Sequence, residues 1–333
     1  MRSTVSRLAC PVHGVVTEAL PWAAPESHFT LDFEELVAWC AREMNFTAVT
    51  RLLHVSWRAV QRITRSLVGR KLDEKRLDGL YDIGLDEVSY RKRHKYLSVV
   101  ADHFSGDPVW MAEGRSQATV GQFFDELGPE RCEKLHVVSM DMCAPYIAEV
   151  TARAPNAAIA FDPFHVVKLA NEAVHQVRRT EARERKGTPE AMVLKDSRWS
   201  LLRATESADD RDRVRLAEIA KLNHRVYRAY LLKEELRALY KAGPSGAGRH
   251  LDWWLRWATR SKLRPFVKVA RTLRKYRDGV LAAIRLGVSN GRLESINAKI
   301  DVLKRRAFGF HSAAALIAMV FLCCTKLHVE LPI

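Results

Sequence analysis

The sequence predicts an α/β fold: a mixed β-sheet with acids at its strand ends, preceded by a helix-turn-helix segment and followed by a long all-helical stretch. Three observations carry this. Short apolar runs at 83–85, 135–140 and 157–161 each end on an acid, Asp86, Asp141 and Asp162. Runs this short, rich in β-branched residues and bounded by turns, suit buried strands. Two further runs, 95–102 and 108–112, flank a Ser105-Gly106-Asp107 turn, so the order reads β-β-β-α-β-α-β-α. Hairpins therefore precede helix-linked crossovers, and the sheet must mix antiparallel with parallel pairs. From 171 to 289 nothing alternates like a strand.

Composition narrows the function. The 333 residues carry 54 Lys+Arg against 39 Asp+Glu, a net +15 that favours a polyanionic partner, nucleic acid before an anionic membrane surface. The longest apolar run, 313–324, has 12 residues, short of the roughly 18–20 that span a bilayer. The first ten residues lack the apolar centre of a signal peptide. Six cysteines in a chain of this length, two of them adjacent, give no disulfide framework. A cytoplasmic, non-membrane protein of a reducing compartment is expected.

Taken in order, residues 1–30 read as irregular and proline-bearing, with Cys10 and His13 at the spacing of half a zinc knuckle. A tetrahedral structural zinc needs four ligands, and no second pair stands at that spacing, so zinc is not expected there. Phe33, Leu36, Val37 and Cys40 line a first helix. Over 46–65 a short helix, a turn at His54-Val55-Ser56 and a second helix capped by Ser56 follow, with Val49, Leu52, Val55, Val60 and Ile63 as the shared core. Residues 51–70 hold five arginines and no acid, so Trp57, Arg58, Gln61, Arg62 and Arg65 are expected to face a DNA groove. Residues 71–79 form a charged linker into the sheet. Beyond it, the glycine-rich 242–248 stretch reads as a hinge or loop within the helical part. Residues 249–285 then hold eleven Lys/Arg against Asp252 and Asp278, interleaved with Trp253, Trp254, Trp257, Phe266 and Tyr276. Such a mixture suits a phosphate-tracking surface that includes Lys268, Arg271 and Arg274, although the tryptophans also suit a core. Finally, Leu293, Ile296, Ile300 and Leu303 make the apolar stripe of a helix, with Glu294 off the stripe, and an apolar helix closes the chain.

The acids then carry the chemistry. Strand carboxyl ends form the active edge of open α/β sheets, and magnesium or manganese prefers several convergent carboxylates there. Asp86 and Asp141 sit on that edge. Asp102 belongs to the opposite edge, and Glu87 to the opposite face of its strand. Asp162 precedes Pro163 and reads first as a helix N-cap, second as support for the site, with His165 one turn on.

The blocks IGLDEVSYRKRHKY, VVSMDMCAPYI, FDPFHVVKLAN and SNGRLESINAKI with KRRAFGF resemble the DDE transposases of bacterial insertion sequences, the ISL-three family in particular, from about Cys10 to the C-terminus. That resemblance implies a ribonuclease H-like catalytic fold split by a helical insertion. It divides the chain into 1–30 (a remnant of the family's zinc-binding segment), 31–70 (helix-turn-helix), 80–170 (first part of the core), 171–289 (insertion) and 290–333 (the core's C-terminal helices). Position by position it implies a catalytic and metal-binding triad of Asp86, Asp141 and Glu294 holding two Mg²⁺ or Mn²⁺ ions. It further implies cleavage of phosphodiesters at element ends and joining of the freed 3′-hydroxyls to target DNA. The partners would be double-stranded DNA, both terminal inverted repeats and target, with a homodimer or higher assembly on it in the bacterial nucleoid. Two other readings share parts of the pattern: an inactive or domesticated transposase acting as a DNA-binding regulator, and a ribonuclease H-like nuclease on RNA or junctions.

Overall fold

The computed structural model describes residues 6–18, 20–25, 27–91 and 95–331, so the first five residues and the 92–94 part of the first family block fall outside the description. Residues expected to be irregular instead begin with an antiparallel hairpin, β1 (Arg7–Cys10) and β2 (Gly14–Thr17). Gly14, at φ +71°, takes the left-handed conformation that closes the turn. Cys10 Sγ lies 3.4 Å from His13 Nδ1 on this hairpin.

Helices α1 (Leu31–Glu43), α2 (Phe46–Leu53) and α3 (Trp57–Lys71) are capped by Thr30, Asn45 and Ser56, each side chain accepting from a backbone N–H three residues on. His54 makes the turn between α2 and α3 at φ 52°, where glycine is commoner. Val49, Val60 and Ile63 are buried as expected, whereas Leu52 is 57% exposed, because the pair's core is closed from α1 and from the C-terminal helix.

The sheet comprises β3 (Asp82–Arg91), β4 (Lys95–Asp102), β5 (Pro108–Glu113) and, after helices α4 (Gln117–Leu127) and α5 (Pro129–Cys132), β6 (Val137–Met140). Helix α6 (Ala144–Arg153) and β7 (Ala158–Phe161) complete it in the order β5-β4-β3-β6-β7. The β3–β4 and β4–β5 pairs are antiparallel, while β3–β6 and β6–β7 are parallel. This is the mixed sheet that the pattern of runs predicts.

The helical stretch runs through α7 (Pro163–Glu184), α8 (Pro189–Asp196), α9 (Arg198–Leu202), α10 (Asp210–Leu222) and α11 (His224–Ala238). Helices α12 (Gly243–Arg260), α13 (Arg264–Lys275) and α14 (Arg277–Leu286) continue it. The expected hinge at 242–248 is thus mostly the first turns of α12: Pro244 occupies the helix start, where its missing N–H costs nothing. Of the tryptophan trio only Trp254 is fully buried, donating from Nε1 to Leu232 O at 2.8 Å, while Trp253 stays 45% exposed against Trp257. Two helices finish the chain, α15 (Gly291–Arg306) and α16 (Ala313–Cys324). No described helix is long and apolar enough to cross a membrane.

Strand alternation divides the core in two. Ile83 and Leu85 join a cluster with Phe123, Val150 and Val174 that extends into the helical stretch. Val88, Tyr90, Leu97 and Val99 join α3, α15 and α16 on the other face. Gly84 lies on this second face, and a Cβ there would stand 2.2 Å from Leu293 Cδ1. Helix α15 therefore rests on β3 only because position 84 has no side chain.

Candidate active site

The expected end of the first strand at residue 85 is not an end. β3 continues to Arg91, because its outer half still pairs with β4; its pairing with β6 stops at Gly84–Ser139. Asp86 stands just past that point and Asp141 just past the end of β6. Two neighbouring parallel strands thus present one acid each at the same edge. Asp102 is used at the opposite edge, accepting from the N–H groups of Phe104 and Ser105.

Asp86 accepts from Glu87 N at 2.7 Å and from Asn297 Nδ2 at 2.6 Å. Burial raises its carboxyl above the usual range; the two donors offset this in part, and the nearby Asp141 charge adds to it. His165, on the first turn of α7, points Nδ1 between two carboxylates, 2.6 Å from Asp141 Oδ1 and 3.0 Å from Asp162 Oδ2. Only the longer contact is directed as a hydrogen bond, so Asp141 Oδ1 stays buried without a donor. Burial would lower the His165 pKa, but the paired carboxylates outweigh it and lift the ring to about 9.

Asp162 occupies the N-cap position of α7 without capping it. Its side chain, 4% exposed, faces His165 on one side and accepts from Asn290 N on the other at 3.3 Å. The partnered ring and that N–H hold its carboxyl below the usual range despite burial. The capping role expected from the Asp-Pro pair is displaced because both oxygens have partners elsewhere.

Asn290 ties the start of α15 to the sheet: its Oδ1 accepts from Ser139 Oγ at 2.5 Å, and Ser139 Oγ also meets His103 Nε2 at 2.7 Å. Glu294 is exposed on the first turn of α15, and among the described residues its side chain makes no hydrogen bond or ion pair; the structure does not bring it into contact with Asp86 or Asp141. What touches Asp86 is Asn297 of the same helix. Asn290, Glu294 and Asn297 stand at i, i+4 and i+7, one face of the helix. This spacing was legible in the sequence, and it marks two site residues, Asn290 and Asn297, that the acid pattern alone missed.

The donor set suits a hard divalent cation. Ligand atoms of Asp141, Asp162 and His165 lie within 4.8 Å of one another, Asn297 Oδ1 is buried without a hydrogen-bond partner, and Asp86 and Asp141 repel across the gap. A cavity of about 510 Å³ opens from Asp86 and Asp141 along α7, lined further by Lys168, Asn171 and His175.

On α3, Arg58, Arg62 and Arg65 are exposed. Trp57 and Gln61, expected beside them at the groove, turn inward: Trp57 packs edge-on against Phe46 and His311, and Gln61 Nε2 donates to Ser312 Oγ at 3.0 Å. The start of α16 covers that side of α3, which is why two of the five leave the basic face. In the helical stretch, Lys268, Arg271 and Arg274 lie on the exposed face of α13, whose other face buries Phe266, Ala270 and Leu273.

Residues 83–320 match the family model for DDE transposases of the ISL3 type, described as "Transposase", and residues 18–68 match "Helix-turn-helix domain of transposase family ISL3". The chain is 39% identical to the transposase of insertion sequence IS1557 from Mycobacterium tuberculosis, the same in two strains, over 97% of this chain and 78% of the relative. It is 30% identical to the transposase of IS1001 from Bordetella parapertussis, over 88% of this chain and 73% of that protein. With the helix-turn-helix, the mixed sheet and its paired acids in one polypeptide, the chain belongs to the ISL3 family of insertion-sequence transposases.

Proposed function

We propose that this protein cuts phosphodiesters at the ends of its insertion sequence and joins the freed 3′-hydroxyls to target DNA, using Asp86, Asp141 and Glu294 as its carboxylates. The carrying observation is the face of α15: Asn290 is bound to Ser139 and Asp162, Asn297 is bound to Asp86, and Glu294 lies between them in the helical repeat. A helix pinned at both points would hold Glu294 toward the edge that bears Asp86 and Asp141. The sheet order, antiparallel on one side of β3 and parallel on the other, supports a ribonuclease H-like core. In this reading 80–170 and 290–333 form that core, 171–289 interrupts it, and 31–70 holds the DNA-reading helices.

The three carboxylates would hold two Mg²⁺ or Mn²⁺ ions, which when bound supply charge stabilisation on both sides of an in-line displacement at phosphorus. The protein's own share is orientation. Asn297 fixes the Asp86 carboxylate, and His165, itself held by Asp162, sets its ring 2.6 Å from Asp141 Oδ1. Arg58, Arg62 and Arg65 would read and grip the terminal repeat in double-stranded DNA, while Lys268, Arg271 and Arg274 would follow its phosphates. Because two ends must be processed, a dimer or larger assembly on DNA is the working form.

The test is cleavage of terminal-repeat duplex in Mg²⁺ by Asp86→Asn, Asp141→Asn and Glu294→Gln. Each should lose at least about a hundredfold in rate, the order expected when a fixed electrostatic group is removed from a reacting centre. Duplex binding should persist, since it rests on other residues. Retained cleavage in any variant removes that residue from the triad, and binding with no cleavage by the unaltered protein favours the regulator.

A further inference from the structure

Helix α7 leads away from the acids to a second cavity. Its first half, with His165, Asn171 and His175, lines the site already described. Its second half, from Gln176 to Lys186, lines a groove of about 1050 Å³ together with Lys195, Arg225 and the start of α13. Eight Lys/Arg line this groove against two acids, Glu181 and Glu184. Glu181 is buried and neutralised by Arg185 at 2.6 Å and Arg225 at 2.8 Å. Arg179, Arg183, Lys186, Lys195, Lys262 and Arg264 are exposed, and among the described residues none of them has a carboxylate partner. Like charges gathered in this way repel one another until an anion lies among them.

The groove is built around positive charge. Arg178, in the same lining, is only 8% exposed; its Nη1 donates to Leu194 O and Lys195 O and its Nε has no partner, so its charge meets no carboxylate. No side chain caps the start of α13, whose dipole therefore presents its positive end beside Lys262 and Arg264. Lys262 stands at φ 60°, the left-handed conformation that favours glycine, so a cation is kept where the backbone suits a residue with no side chain. No aromatic ring lines the groove. It offers charge without a stacking face, which suits phosphates whatever bases they carry.

The place of the groove in the fold selects which phosphates. Helix α3 packs on the sheet face that holds Val88 and Leu97, whereas α7 and α13 pack on the face that holds Ile83 and Leu85. The acids stand at the edge between those faces. A duplex whose terminal repeat is held by α3 and cut at that edge continues, beyond the cut, toward α7. From His165 to Arg179 this helix advances about 21 Å at 1.5 Å per residue, or about six base pairs at 3.4 Å each. We propose that the groove holds the backbone of the DNA that flanks the element, about six base pairs outside the cut. Flanking sequence differs at each insertion, and a grip made of charge alone accepts all of it. This rests on the reading of Asp86, Asp141 and Glu294 as a DNA-cleaving centre.

The experiment uses the full chain and duplexes carrying one inverted repeat of the element that encodes it, ending at the cut or continuing about twelve base pairs past it. Ca²⁺ replaces Mg²⁺ so that the strands stay whole. The unaltered protein should bind the extended duplex about tenfold more tightly, by the same factor for unrelated flanking sequences. Arg179→Gln combined with Lys262→Gly should remove most of that gain and leave binding of the flankless repeat unchanged. Glycine suits the left-handed backbone, so Lys262→Gly takes away the charge without unfolding the protein, and thermal melting checks this. Neutral methylphosphonates about five to seven nucleotides outside the cut should weaken binding by the unaltered protein but not by the variant. A flank that adds nothing, or adds as much in the variant, overturns the proposal, while cleavage of the same duplex in Mg²⁺ upholds the cutting centre. If the variant keeps the gain from the flank and loses only joining to a separate target duplex, the groove holds target DNA and the flanking assignment falls. Binding without cutting by the unaltered protein in Mg²⁺ sinks the cleavage reading, and this proposal with it.

Discussion

At the scale of single residues, the site is governed by carboxylates that lack their counter-charge. His165 supplies one positive group between Asp141 and Asp162, which is why its ring is lifted to about 9 from the ordinary 6.5. A raised folded-state pKa means that the stabilisation is complete below the unfolded value and disappears as pH climbs through the folded one. Metal-free protein should therefore lose stability between about pH 6.5 and 9. His165→Gln should flatten that part of a melting-temperature profile. Parallel profiles for the two proteins would show that the ring is not paired with the acids. Asp162 shifts the opposite way, so its share is present above its ordinary pKa of 3.8 and disappears only as the solution is acidified below it. The residues that sequence reasoning placed wrongly, Trp57 and Gln61, are polar or amphipathic side chains on a basic helix. Nothing local distinguishes a groove-facing position from one that a distant helix covers.

At the scale of elements, α15 is the part on which the proposed triad depends, and its seat is a single glycine. A methyl at position 84 would overlap Leu293 Cδ1. Gly84→Ala should destabilise the protein by about 1–3 kcal/mol, the usual cost of overpacking a closed core. Because α15 would be lifted from β3, Asn297 would lose its hold on Asp86, and cleavage should fall further than stability does. Urea denaturation checks the first point. A cycle with Leu293→Ala checks the cause: trimming the leucine should recover part of the loss, whereas strictly additive effects would locate the strain elsewhere. The helix-turn-helix depends less on one contact. Three side-chain caps in succession, at Thr30, Asn45 and Ser56, define its helix starts, and such caps are local and readable from residue type.

At the scale of the molecule, charge is segregated. Of the basic residues over 249–285, Arg277 is committed to Asp252 through two hydrogen bonds of 3.0 Å, whereas Lys268, Arg271 and Arg274 lie on an open face of α13. Replacing those three together should weaken binding to all duplexes alike. The slope of log K against log salt should become shallower by about 0.9 for each phosphate that is no longer neutralised. An untouched slope would make this face a surface for protein contact instead of DNA. The order of strands, the helix starts, the basic faces and the acids Asp86 and Asp141 were determined by the sequence itself, because alternation, capping and charge are properties of neighbouring residues. Glu294 came only from resemblance to a family, since nothing near it in the chain marks an acid as catalytic. Tertiary structure alone decided that Asn290 meets Ser139 and Asn297 meets Asp86, that Asp162 faces His165 instead of capping α7, and that Trp57 and Gln61 pack against the segment that starts α16. Each of these is a contact between segments more than a hundred residues apart, or depends on one, and local pattern carries no information about which distant surface will arrive.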